Sequence, residues 1–377
     1  MNPAWCCADK SGAWLVLSLR NRERTLAALS HETTDRLPFD RVGSTGSAEV
    51  ANIVESLDLP PAVRAHYLEG DFHYLEFGSR EERERFRAYL PDLPAEASVS
   101  DWGIARIPLK TAEGYHAGHK YFYPLAHLHS PAQLESYPFP DLTESWRHQG
   151  LEEAVRAVKR QGYVVVGQMS QTILETAYCM RGIVRLFVDF YERPGYVELL
   201  FERIAEGRRF QARRFAQAGV DVLRIGDDIA NQRSLLVSPA LYRERIKPFH
   251  ASVIRAARAE NPAIQVLYHS DGNLTDLIPD LIHIGVTAIN PVQPECMDLV
   301  QTKREFGQHV VLWGCCPVQS VYASGSREEV LGHVRLLKEK LAPGGGLVVQ
   351  FYNMILTPKV KENLAFFFDS FFGNSSA

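Results

Sequence analysis

From residue 163 onward, six continuously apolar runs recur at 163–167, 220–225, 264–268, 286–290, 310–313 and 347–351, with helix-length stretches between them. Their continuity is the main constraint on the fold. A strand with one wet face alternates apolar and polar residues, whereas a strand covered on both faces does not. Strands of that kind, each followed by a segment long enough to cross back, build a parallel sheet. The segments 37–42 and, more weakly, 72–77 bring the number to eight, which is the number that closes a (β/α)8 barrel. Crossover helices are predicted over 151–161, 195–218, 239–258, 275–284, 328–341 and 359–372, and an opening helix over 21–29 with Asn21 as its N-cap.

No Pro-, Gly- or Ser-rich linker divides the chain, so residues 20–377 are expected to form one domain behind a leader over 1–19. The exception to the alternation is 101–124, where Ile104-Ala-Arg-Ile107 and Tyr121-Phe-Tyr123 flank Glu113-Gly114 and read as an inserted β-hairpin. His116, His119, Tyr121 and Tyr123 on it would serve either as a lid or as a solvated face. The fold class is therefore α/β, a single (β/α)8 TIM-type barrel with an inserted β-hairpin. A doubly wound open sheet is the rival, but no Gly-x-Gly-x-x-Gly follows the first strand. Gly344-Gly345-Gly346 precedes a strand and lacks a following Lys-Ser/Thr, so it reads as a turn.

Charge narrows the partners. Lys and Arg total 41 against 45 Asp and Glu, and neither sign forms a block, which argues against nucleic acid or an anionic membrane surface. The apolar stretch 13–19 is far shorter than the ~20 residues needed to span a bilayer. Asp9 beside Lys10, with no small-residue cleavage site, argues against a signal peptide, so a cytoplasmic protein is expected. The six cysteines include the adjacent pairs Cys6-Cys7 and Cys315-Cys316, a poor disulfide framework, and read as reduced thiols. The sequence leaves a homodimer open.

In a parallel barrel the βα loops at the carboxyl ends of the strands form the pocket. Here those ends carry Asp40, Gln168 with Ser170, Asp227-Asp228, His269-Ser-Asp271, Asn290 with Gln293, Cys315-Cys316 and Tyr352-Asn353. His269 and Asp271, two residues apart, share a face and could share one ion. Imidazole and carboxylate both bind Zn2+, and a thiolate from Cys315 or Cys316, with Cys316 the candidate, would complete a three-ligand site. The alternative is that His269 and Asp271 bond loop backbone, with Asp271 capping the next helix. Asp227 and Asp228 place one carboxylate inward and one outward, and the inward one would serve as general acid or base. Its alternatives are an ion pair with Arg224 or Arg233, or the capping of a helix. Asp228, His269 and Asp271 form the candidate catalytic centre, with Gln168, Asp227, Asn290, Gln293, Tyr352 and Asn353 as candidate substrate contacts.

Several motifs resemble the uroporphyrinogen decarboxylase-like superfamily: Asn21-Arg-Glu-Arg-Thr-Leu-Ala-Ala-Leu29 with Asp35-Arg-Leu-Pro38, Gln133-Leu-Glu-Ser-Tyr-Pro-Phe-Pro-Asp141, Gly226-Asp-Asp-Ile229 with Ser238-Pro239, and Tyr268-His-Ser-Asp-Gly-Asn273. So do Ile289-Asn-Pro-Val-Gln-Pro294, Trp313-Gly-Cys-Cys-Pro-Val-Gln319 and Leu341-Ala-Pro-Gly-Gly-Gly346, and the set runs collinearly to Phe372. The resemblance implies a barrel enzyme, either a porphyrinogen decarboxylase or a corrinoid-linked methyltransferase. The arginine-rich segment that grips porphyrinogen carboxylates is replaced by Asp40-Arg-Val-Gly-Ser-Thr-Gly-Ser47, which leaves Arg41 alone. The thiol-using methyltransferases carry His-x-Cys where this chain has His269-Ser-Asp271, and a further Cys where it has 350–353. What the resemblance implies is thus a methyltransferase moving a methyl group from a small methylated or methoxylated substrate to a corrinoid on a separate protein, with zinc as a second expected cofactor. A decarboxylase of a small carboxylate comes second, and a ligand-binding barrel without turnover third.

Overall fold

The computed structural model describes residues 21–41, 55, 61, 70–112, 116–169, 171–352, 354–355 and 357–372. The leader, the Glu113-Gly114 turn, Ser170 and Asn353 lie outside the described residues. The strands in chain order are β1 (Phe39–Asp40), β2 (Phe72–Leu75), β3 (Ser98–Val99), β4 (Ala105–Lys110), β5 (His116–Phe122), β6 (Val164–Gln168), β7 (Val222–Gly226), β8 (Gln265–His269), β9 (Ala288–Val292), β10 (Val311–Cys315) and β11 (Leu347–Gln350). Eight of them form one parallel sheet in the order β1-β11-β10-β9-β8-β7-β6-β2. Across the seam between its two ends, the Asp71 amide donates to the Phe39 carbonyl (3.0 Å) and the Phe39 amide to Asp71 Oδ2 (2.8 Å). Arg36 pairs with the same carboxylate at 2.8 Å. The result is a nearly closed (β/α)8 barrel.

Period-two alternation divides the strand side chains between two cores. Phe72, Val164, Val166, Val222, Leu267, Ala288, Val311, Trp313 and Val348 form one cluster inside the barrel, and Leu29 of the opening helix Asn21–Leu29 belongs to it. The intervening Val165, Leu223, Val266, Ile289, Leu312 and Val349 join the larger core beneath the helices. Burying each such side chain contributes about 1.5–3 kcal/mol, which is why both faces of these strands are apolar.

The crossovers follow the expected pattern with local breaks. Leu151–Arg160 and Pro194–Ala218 are single helices. The 239–258 segment is divided into Pro239–Leu241, a π-turn over Tyr242–Ile246 and the helix Lys247–Glu260. Pro248 there has no N–H to continue the ladder, and the wider turn absorbs the break. The helix at Arg327–Leu336 starts on a capping box in which Ser326 and Glu329 exchange bonds. Two helices that the apolar pattern does not separate, Leu174–Arg181 and Ile183–Glu192, lie between β6 and Pro194–Ala218. The expected hairpin is present as β4 and β5, and β3 extends it to a three-stranded antiparallel sheet. Among the described residues no helix is long and apolar enough to cross a membrane.

Candidate active site

The inward positions that hold the apolar cluster lower in the barrel become polar at the carboxyl ends of the strands. β7 shows the transition: Val222, Arg224, Gly226 and then Asp228 follow one another at a spacing of two. Gly226, at φ +149°, is needed because a Cβ there would lie 2.1 Å from the His269 carbonyl oxygen. The end of β7 can therefore approach β8 closely, which brings Asp228 and His269 together. The Asp228 carboxylate accepts from the Asp271 amide (2.9 Å), and its Oδ1 lies 3.9 Å from His269 Nε2. One ligand atom each from Asp228, His269 and Asp271 falls within 4.8 Å of the others.

Asp228 and His269 open onto a cavity of about 450 Å3 lined also by Arg106, Gln168, Gln171, Glu175, Arg224, Asn290, Gln350 and Tyr352, whereas Asp271, expected to face it, does not line it and joins the cluster from behind. A second space of about 460 Å3 shares Arg106, Gln168, Met169 and Gln171 with it and reaches Tyr121 on the inserted sheet. Tyr121 and its register partner Arg106 thus meet the cavities, whereas His119 and Tyr123 line neither.

Burial and charge set the protonation states. Desolvation, reinforced by the nearby Arg224 cation, pulls His269 down to about 4, so its imidazole is neutral near pH 7. Glu175 goes the other way. Burial first, then the negative charges of Asp228 and Asp227, push its carboxyl up to about 8, so it holds a proton near neutrality. It accepts from the Asp228 amide at 3.2 Å and from Gln171 Nε2 at 3.1 Å. A neutral carboxylic acid beside an ionisable one is an arrangement suited to proton donation.

Several sequence expectations are relocated. Asp227 does not line the cavity. It is fully buried, facing away from Asp228, and its oxygens accept from the amides of Ile173 (2.9 Å), Leu174 (2.9 Å) and Glu175 (3.1 Å) and contact His250 Nε2 at 2.7 Å. It anchors the start of the helix that carries Glu175. Gln293 does not line the cavity either; its Oε1 accepts from the Gly272 amide and shapes the loop after β8. Cys316 is not in the acidic–imidazole cluster. It and Cys315 are buried, and burial pushes the Cys315 thiol up to about 12 and Cys316 well above its ordinary value. Asn290 lines the cavity, but its amide is engaged on both sides, with His269 and with Gln350. Gln168 takes Arg224 at 2.9 Å and also bonds Glu76. Neither Asp227 nor Asp228 pairs with Arg224 or Arg233 among the described residues, and Asn273 accepts from the Thr275 amide at the next helix start (3.1 Å).

Glu175, Arg224, Arg106 and Gln350 were not among the expected site residues. Arg224 carried a usable signal, since it shares parity with Asp228. Glu175 had none, because it lies one residue into a helix that the pattern does not separate.

The residues that could hold a metal ion are one imidazole and two carboxylates, with His269 neutral as a ligand must be. Such a set suits a divalent ion of borderline or hard character better than it suits a thiolate-rich zinc centre.

A family model for uroporphyrinogen decarboxylase (URO-D) matches residues 121–371. The chain belongs to this family. Within the match lie every barrel strand from β6 to β11 and the whole Asp228–His269–Asp271 cluster. Among solved structures, a methyltransferase from Methanosarcina mazei is 15% identical, with 93% of this chain and 98% of that one covered and a TM-score of 0.60. At that identity the likeness shows the fold alone. A GH10 endoxylanase from a sugarcane soil metagenome (10% identity, 58% and 74% covered, TM-score 0.37) and xylanase 10B from Thermotoga maritima (12%, 57% and 69%, 0.36) are too distant to inform the family member's chemistry. No curated protein sequence matches the chain.

Proposed function

We propose that this chain is a methyltransferase that takes a methyl group from a small methylated or methoxylated compound and passes it to a corrinoid held by a separate protein. The observation that carries this reading is Glu175, a carboxyl protonated near neutrality, at the mouth of an open barrel beside the acceptors Asp228 and His269. Demethylation leaves an oxygen or nitrogen with an extra electron pair, and that atom needs a proton from a group poised near the working pH. Glu175 would supply it. Arg224 and Arg106, neither within ion-pair distance of a carboxylate among the described residues, would orient an anionic group on the substrate. Asp228, His269 and Asp271 would alternatively hold a divalent ion, which when bound would polarise the leaving atom in place of the Glu175 proton. The corrinoid would supply the electron pair that accepts the methyl group, and the open mouth would admit it.

A decarboxylase of a small carboxylate is the second reading, favoured by the same pairing of an acid, Glu175, with the Arg106 and Arg224 cations. One experiment separates them. Purified protein is incubated with methoxylated and methylated compounds, with and without a cobalamin-loaded corrinoid protein, while the corrinoid spectrum and released CO2 are followed. Methyl transfer predicts a spectral change that requires both the corrinoid protein and this chain. CO2 release without it would establish the second reading, and binding without either product would leave a non-catalytic barrel.

A further inference from the structure

A line of side chains crosses the polar layer of the barrel from β1 to β8. Asp40 Oδ2 accepts from Trp313 Nε1 (3.0 Å), from Tyr74 Oη (2.5 Å) and from Gln350 Nε2 (2.6 Å). Gln350 Oε1 accepts from Asn290 Nδ2 (2.6 Å), and Asn290 Oδ1 meets His269 Nδ1 at 2.8 Å. Asp40, Gln350, Asn290 and Trp313 are all buried, so their polar atoms depend mainly on these partners.

The polarity of the line has one fixed point. An indole N–H can only donate and a carboxylate can only accept, so with Asp40 as its carboxylate Oδ2 takes a hydrogen from each of Trp313, Tyr74 and Gln350. Gln350 therefore turns its NH2 toward Asp40 and its carbonyl toward Asn290. Asn290 must then offer its NH2 to Gln350 and its carbonyl to His269. A carbonyl can only accept, so the proton of the neutral imidazole sits on Nδ1.

We infer that Asp40, Gln350 and Asn290 are positioning residues that hold His269 as its Nδ1–H tautomer, so that the Nε2 lone pair faces Asp228 and the cavity. His269 then acts as an acceptor, toward a cation or a proton, and is excluded from donating to substrate. This use of His269 rests on its place in the reacting centre proposed above, but the tautomer itself does not. Chains of this kind orient a ligand or base by holding the ring nitrogen it does not use.

The test is nitrogen-15 NMR of the full chain labelled on histidine, with the His269 signals identified by their loss in His269→Gln. The wild type is expected to show a single tautomer protonated on Nδ1. Gln350→Met, close to isosteric, frees the Asn290 amide to turn, and His269 is expected to become a mixture in which Nε2–H is populated. Adding Asn290→Asp to that variant restores an acceptor-only group, and the Nδ1–H form is expected to return. A wild-type spectrum with the proton on Nε2 overturns the proposal without any variant having to fold, and so does an unchanged single tautomer in Gln350→Met. Failure of methyl transfer in the functional assay would leave these spectra as they are.

Discussion

The lower and upper halves of the barrel interior use the same eight strands for opposite purposes. Below, Phe72, Val164, Val166, Val222, Leu267 and Val348 pack as an apolar layer. Above, Asp40, Gln168, Arg224, His269, Asn290 and Gln350 occupy the same alternating positions and are joined by directed bonds. Apolar packing is set by volume and tolerates exchange among residues of similar size. A hydrogen-bonded layer is set by which atom donates, and one wrong group leaves a buried partner unsatisfied. Stability should therefore reside mainly in the lower half, and chemistry in the upper.

The largest expected effect is on turnover. Replacing Glu175 by Gln or Asp228 by Asn should lower the rate of the proposed methyl transfer about 10²–10⁴-fold while the melting temperature at pH 5 changes little; a variant with undiminished rate would remove its residue from the reaction. The lower half should respond in reverse. Leu267→Ala, which deletes a fully buried side chain, should cost about 2–5 kcal/mol in denaturant unfolding and leave turnover intact in the folded fraction. Equal loss of both would mean that the halves are not separable.

Next in size is an acid effect outside both layers. His333 is buried, with Nδ1 meeting Tyr322 Oη at 2.7 Å and Nε2 meeting the Cys315 carbonyl at 2.9 Å, and desolvation holds it down at about 4. Its folded value lies below its unfolded value of 6.5, so its contribution is complete above about 6.5. The contribution is lost as pH falls toward 4, up to about 3 kcal/mol. Unfolding curves of His333→Gln between pH 4 and 7 should lack that part of the slope, and an unchanged slope would assign it elsewhere. A second titration effect, of comparable size, has the opposite sign. The folded value of Glu175, about 8, lies above its unfolded 4.5, so its contribution is present below about 4.5 and declines up to about 8. Glu175→Gln should therefore gain melting temperature over wild type on going from pH 5 to pH 8.5; no relative gain would contradict a buried, protonated carboxyl.

Much of this division was legible in the chain. Continuously apolar runs such as 163–167 and 264–268 located six strands because a strand covered on both faces has no other sequence solution. The first two are shorter than the runs that suggest them, Phe39–Asp40 and Phe72–Leu75 among the described residues. Parity indicated that one of Asp227 and Asp228 must face inward, but which one depends on where β7 ends relative to the helix start at Leu174. Glu175 and the link from Gln350 to Asn290 join residues 53 and 60 positions from their partners, and no local pattern encodes such meetings. Cys316 was a plausible ligand by composition, and its enclosure in the larger core removes it from the cluster.

Asp227 has a consequence for how this pocket can change over generations. Its carboxylate grips the amides of Ile173, Leu174 and Glu175, while its own backbone leads directly into Asp228. Any replacement there displaces two walls together, so a residue out of reach of every substrate would alter selectivity and folding in one stroke, and the pocket's freedom to acquire new specificities must come from other positions.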